Sequence, residues 1–110
     1  MAYDQALAAR IRGSLGSEPG LAEKKMFGGI AFLVNGNMAI AASGQGGILV
    51  RADPEDSDAL AAGTDAEPAV MGGRPMRGWL RVDSERLRSV RDLEKWIEIG
   101  TAYARSLPAT

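Results

Sequence analysis

The chain has 110 residues, 45% of them hydrophobic, which suits one domain built on a single core, and its net charge of −1 offers no overall attraction to phosphate. It contains no Cys and no His, which excludes disulfides, zinc–thiolate sites, thiol nucleophiles and histidine acid–base chemistry. No basic and then apolar leader opens it, and the longest unbroken apolar run, Ile30 to Val34, is far short of the roughly 20 residues of a membrane span, so a cytoplasmic setting without membrane contact is expected.

Asp4 as N-cap and Leu7, Ile11 and Leu15 at four-residue spacing predict a first helix over Tyr3 to Leu15, broken by Gly16 to Gly20 with Pro19. A strand is predicted from Met26 to Val34. It turns at Asn35-Gly36, a pair that tolerates positive φ and is the strongest short hairpin signal, and it returns from Asn37 to Ala42. With a two-residue loop Val34 pairs with Asn37 and Leu33 with Met38. That register places Phe27, Gly29, Ala31, Leu33, Met38, Ile40 and Ala42 on one face and Ile30, Phe32, Val34, Ala39 and Ala41 on the other. Both faces are apolar, whereas an antiparallel sheet commonly leaves one face polar and solvated. A helix layer or another subunit is therefore expected over the second side.

Gly44 to Gly47 turns the chain into a third strand, Ile48 to Arg51. This glycine-rich loop lies between strands and not before a helix, so it lacks the N-terminal amides that cradle an anion. Asp53 as N-cap, Pro54 at the first helical position and Gly63 as the stop frame a short second helix, and its acids are assigned to capping and to the helix dipole, not to a metal. The spacing and central glycine of a calcium loop are missing. Thr64 to Pro68 reads as a polar connector and Gly72-Gly73 as a turn. After Pro75 a last strand runs through Trp79 to Val82, with Trp79 and Arg81 alternating against Leu80 and Val82. Ser89 and Asp92 open a closing helix with Leu93, Trp96, Ile97, Gly100, Ala104 and Leu107 on one face, and Pro108 ends it. The expected class is α+β: an antiparallel sheet, hairpin and meander plus a later strand, flanked by about three helices.

Catalytic, cofactor-binding and metal-binding residues are not expected. Ser43, Ser57 and Ser84 lie in turns and capping segments, none in a nucleophile elbow, and Asp83 and Glu85 read as solvated turn residues. The charges are segregated: six acids and no base between Asp53 and Glu67, then six arginines from Arg74 to Arg91. In the stretch GGRPMRGWLRVD, Arg74 and Arg77 flank a rigid Pro75-Met76 turn beside Trp79. This is either a binding edge for phosphate, carboxylate or an acidic patch, or a strand entry whose tryptophan enters the core; the second reading is preferred for Trp79. Lys24-Lys25 either extends that basic edge or keeps an edge strand soluble. Lys24, Lys25, Arg74 and Arg77 are thus the candidate partner or nucleic-acid contacts. The Gly28-Gly29 pair is assigned to a bulge or to close packing, not to a ligand.

The two motifs KKMFGGIAFLVNGNMA at Lys24 to Ala39 and GRPMRGWLRVD at Gly73 to Asp83, in this order and separation, strongly resemble the N-terminal domain of the TfoX/Sxy family of competence regulators. The similarity runs from the opening helix to the Trp96 helix. It implies an antiparallel sheet flanked by helices and a non-enzymatic role. In the best-known members that role is promotion of competence gene expression together with the cyclic-AMP receptor protein. Those members carry a second, C-terminal domain, so the expectation here is a single N-terminal-type domain over residues 1–110. A protein partner such as a transcription factor and a homodimer are the implied and inferred contacts, with direct nucleic-acid binding as the alternative and a small-ligand protein or enzyme as the second alternative.

Overall fold

Asn35 and Gly36 sit at φ 55° and 83°, as a type I′ hairpin turn requires, and this turn organises the middle of the sheet. The computed structural model describes residues 4–26, 28–64, 66–71 and 73–109. Six antiparallel strands, β1 (Leu21–Met26), β2 (Gly29–Val34), β3 (Asn37–Ala42), β4 (Ile48–Arg51), β5 (Glu67–Met71) and β6 (Arg74–Val82), form one sheet in the order β1-β2-β3-β4-β6-β5. Three helices, α1 (Gln5–Leu15), α2 (Pro54–Gly63) and α3 (Val90–Ser106), and a 3-10 turn at Ser84–Leu87 make the fold α+β. Each helix opens on the predicted cap: the side chains of Asp4, Asp53 and Ser89 accept from the N–H groups of Leu7, Glu55 and Asp92.

The pattern missed two strands. The stretch expected as one strand from Met26 is cut in two, because Met26 ends β1 and pairs back with Gly29 across a turn in which Gly28 has φ 72°. Phe27 and Tyr3 lie outside the described residues. The central four residues of β1, Ala22 to Lys25, are exposed, so β1 carries no apolar alternation for a pattern to find. β5 includes the supposed connector residues Glu67 and Pro68, which pair with Arg81 and Leu80. Proline is tolerated there because β5 is an edge strand.

The hairpin register changes halfway. Val34 pairs with Asn37 and Leu33 with Met38 as expected, but the next pair is Phe32 with Ile40, so Ala39 is an extra residue in β3. One inserted residue reverses every side chain beyond it. Ile40 and Ala42 therefore join Ile30, Phe32 and Val34 on the helix side, and Ala41 joins Ala31 on the opposite side. The main core is closed from above by Leu7, Ile11, Leu93, Trp96 and Ile97, with Ile48, Val50, Leu80 and Val82 completing its floor.

A second irregularity lies in β6. Its pairing with β5 jumps from Pro68–Leu80 to Ala69–Met76, leaving Arg77, Gly78 and Trp79 bulged. Gly78, at φ 89°, donates its N–H to Ser57 Oγ at 3.1 Å and accepts from the Ala52 N–H at 2.7 Å, which fixes the bulge to the start of α2.

Two surface ion pairs join the helices to other elements. Arg12 of α1 binds Glu23 of β1 through two 2.7 Å hydrogen bonds, and Arg105 of α3 binds Glu18. The side-chain hydrogen bond from each guanidinium holds the carboxyl below the ordinary glutamate value. A carboxyl with a lowered folded pKa contributes stability that is present above its unfolded value, about 4.3, and lost as pH falls through the folded one. The urea midpoint of a Glu18→Gln/Glu23→Gln variant should thus fall less than that of the native protein between about pH 6 and about pH 3. The difference will be small because both pairs are exposed, and equal falls would show that neither pair contributes.

Candidate interaction site

Five buried residues, Ala31, Met38, Ala41, Leu49 and Ala69, form a second apolar cluster on the side of the sheet away from the helices, with Met26, Leu33 and Trp79 half-buried against it. No helix residue belongs to this cluster. Small alanines make its floor, and the longer side chains around them supply the cover. Among the described residues no helix lies over this side of the hairpin; large side chains of the sheet shield the alanines within the chain. Met76, opposite Ala69 in the ladder, extends the apolar surface toward solvent at 36% exposure.

The alternation of β6 is as predicted, with Leu80 and Val82 in the main core, but Trp79 is not there. It stands half-buried on the helix-free face, directly across the ladder from Arg51, whose guanidinium lies 5.3 Å from the Trp79 ring and 5.5 Å from the Tyr103 ring. Cation–π attraction of this kind holds a guanidinium by its face and leaves its N–H edge available. Sequence spacing gave no sign of Tyr103 in this cluster, since Arg51 and Tyr103 meet only through the packing of α3 on β4.

Arg81 serves the fold. Its guanidinium donates to Ser43 Oγ at 3.3 Å and to the Gln45 carbonyl at 3.1 Å, and Asp83 lies 4.0 Å away, so the arginine braces the glycine-rich turn between β3 and β4.

The four candidate cations do not share one edge. Lys24 and Lys25 lie exposed on β1, at one edge of the sheet, opposite Ala31 and Ile30. Cross-strand partners share a face, so Lys24 flanks the helix-free side and Lys25 the helix side. Arg74 opens β6 opposite Met71, with three strands between it and β1, and Arg77 sits in the β6 bulge. There Arg77 lines a cleft of about 340 Å³ with Pro68, Met76, Trp79 and the α2 residues Ser57 and Asp58. Arg74 and Arg77 are neighbours of the apolar face; the lysines are separated from them by the intervening strands β2, β3 and β4.

Among the described residues no group of three or more His, Cys, Asp or Glu side chains is arranged to hold a metal ion, and no helix is long and apolar enough to cross a membrane. No curated protein and no solved structure matches the chain. Residues 14–104, from the end of α1 to the last turn of α3, match the TfoX N-terminal domain, and the chain belongs to that family.

Proposed function

We propose that this domain is a non-enzymatic interaction module that acts in transcriptional regulation of the competence type, through contacts with a protein partner made by the helix-free face of its sheet. The observation that carries this reading is the second apolar cluster, which bears Leu33, Met26 and Trp79 and has no helix over it. Half-buried Met26, Leu33 and Trp79, continued by the exposed Met76, present apolar side chains at this surface, and apolar surface patches mark contact sites. Family membership supports the regulatory setting, with a transcription factor as the partner class. Lys24 and Arg74 flank the face from opposite ends and supply rim charge.

The same face is the surface on which a second copy would pair, and a mass in light scattering that does not change with concentration would remove the homodimer. Direct nucleic-acid binding is the less favoured reading, because a continuous basic footprint needs the lysines and arginines on one surface, and the strand order sets them apart.

The test is transcriptional. Supplying the native protein to host cells should change a defined set of transcripts, and the variant Leu33→Asp/Met76→Asp, checked for native circular dichroism, should abolish that change. An unchanged transcript profile with the native protein rejects the regulatory role, and a full effect from the variant rejects the sheet face as its surface.

A further inference from the structure

The helix layer has an unfilled slot. α3 covers β2, β3 and β4 and packs against α1, whereas α2 packs on β5 and β6. Between α2 and α3 runs an open groove of about 580 Å³, with Ala59 and Leu60 on one wall and Ile99 and Ala102 on the other. α2 is lightly anchored for a helix on a sheet: Ser57 is its one buried residue, and Leu60 and Ala61 are only half-buried. Its apolar side chains are therefore shared between the core and the groove.

We propose that this groove receives an amphipathic helix from a partner protein, with small apolar side chains turned inward and Lys or Arg along the flank that faces α2. The reading is independent of the sheet-face proposal, since it concerns the opposite side of the molecule. Laying an apolar helix face in a groove between two helices is a common recognition mode. Ala59 and Ala102 leave room for close approach of another backbone.

Charge selects the partner. Asp53 and Asp56 line the groove at the N-terminal end of α2, and α2 contains no Lys or Arg to offset them. At that end of the groove an incoming acidic side chain would be repelled and a basic one attracted. The chain's own helices are poor occupants, because the apolar stripes of α1 and α3 are already spent on the core: Leu7, Ile11 and Leu15 of the first, and Leu93, Trp96 and Ile97 of the second, are all buried. This argues for a different protein over a second copy.

The probe is a fluorescein-labelled synthetic helix of about 18 residues, five turns, with Ala and Leu on one face and Lys on the flank, titrated with the full chain and followed by anisotropy. Its twin carries Glu in place of each Lys. Saturable micromolar binding is expected for the Lys peptide, with at least tenfold weaker binding (about 1.4 kcal/mol) for the Glu peptide and for the variants Asp56→Lys and Ala102→Trp. Both positions are exposed, so the fold should survive, and circular dichroism checks it. No binding of the Lys peptide at about 1 mM (near −4 kcal/mol), equal binding of the two peptides, or a variant that binds like the native protein would each overturn the proposal.

Discussion

Gly29→Ala should destabilise the protein by about 3 kcal/mol. A Cβ at Gly29 would fall well inside contact distance of the Ala42 carbonyl oxygen and only 3.0 Å from the Ala42 carbonyl carbon and the Gly44 amide nitrogen. These are backbone atoms at the end of β3, so no rotamer change can make room. The contact is reciprocal, because a Cβ at Gly44 would lie 2.5 Å from the Gly28 carbonyl oxygen and 3.0 Å from the Gly28 Cα. Two chain reversals, one into β2 and one out of β3, therefore rest backbone on backbone, and glycine is the only residue that allows it. In a chain of this size the loss should appear as a fall of roughly 15 °C in Tm. Gly13→Ala is the control. It lies in α1 with nothing within 4 Å of an added methyl, and it should raise stability by somewhat under 1 kcal/mol through helix propensity. If Gly29→Ala melts with the native protein, the two loops do not meet as described.

That contact shows what could be read from the residues and what could not. The diglycine was readable as a place of close approach, but its partner Gly44 lies just past the end of the neighbouring strand β3, and glycine spacing alone does not pair them. Caps and the Asn35-Gly36 turn were legible because their physics is local: a side-chain oxygen meets a nearby N–H, and a positive φ selects its residue. β1 was not legible because an edge strand covered by water on both sides has no periodicity, and Lys24 and Lys25 serve there as soluble edge residues whatever else they touch. β5 was hidden behind Pro68, which reads as a breaker unless the strand is known to be an edge.

The candidate site was legible in part. Both faces of the hairpin are apolar as read and each bears a cluster, yet the expected sides of Ile40, Ala41 and Ala42 are inverted, because alternation carries no mark of an extra residue. Ala39 is as apolar as its neighbours and fits either side. Of the cations, Arg74 and Arg77 do lie beside Trp79 along β6, as the sequence puts them, whereas their distance from Lys24 and Lys25 depends on strand order, a property of the whole sheet. The α2–α3 groove had no signal at all, since it arises from what two helices fail to touch.

The bulge at Ala39 has a partner in α3, and this gives the second large effect. Gly100→Ala should destabilise by about 2 kcal/mol, although alanine in place of glycine in a helix interior ordinarily stabilises by nearly 1 kcal/mol. A Cβ there would meet the Ala39 carbonyl oxygen at less than contact distance and the Ala39 carbonyl carbon at 2.9 Å, with Val50 Cγ1 at 3.4 Å behind it. The extra residue pushes the β3 backbone toward the helix, and the missing side chain at Gly100 is what lets α3 lie against it. Bulge and glycine thus act as one unit: the first sends Ile40 and Ala42 into the main core, and the second admits the strand shape that results. Chemical denaturation of Gly100→Ala would decide between this coupling and a simple helix effect, because the two predict opposite signs. A midpoint above that of the native protein would mean that α3 is free to shift away from Ala39, and that the register of the hairpin is held by the turn and the core alone.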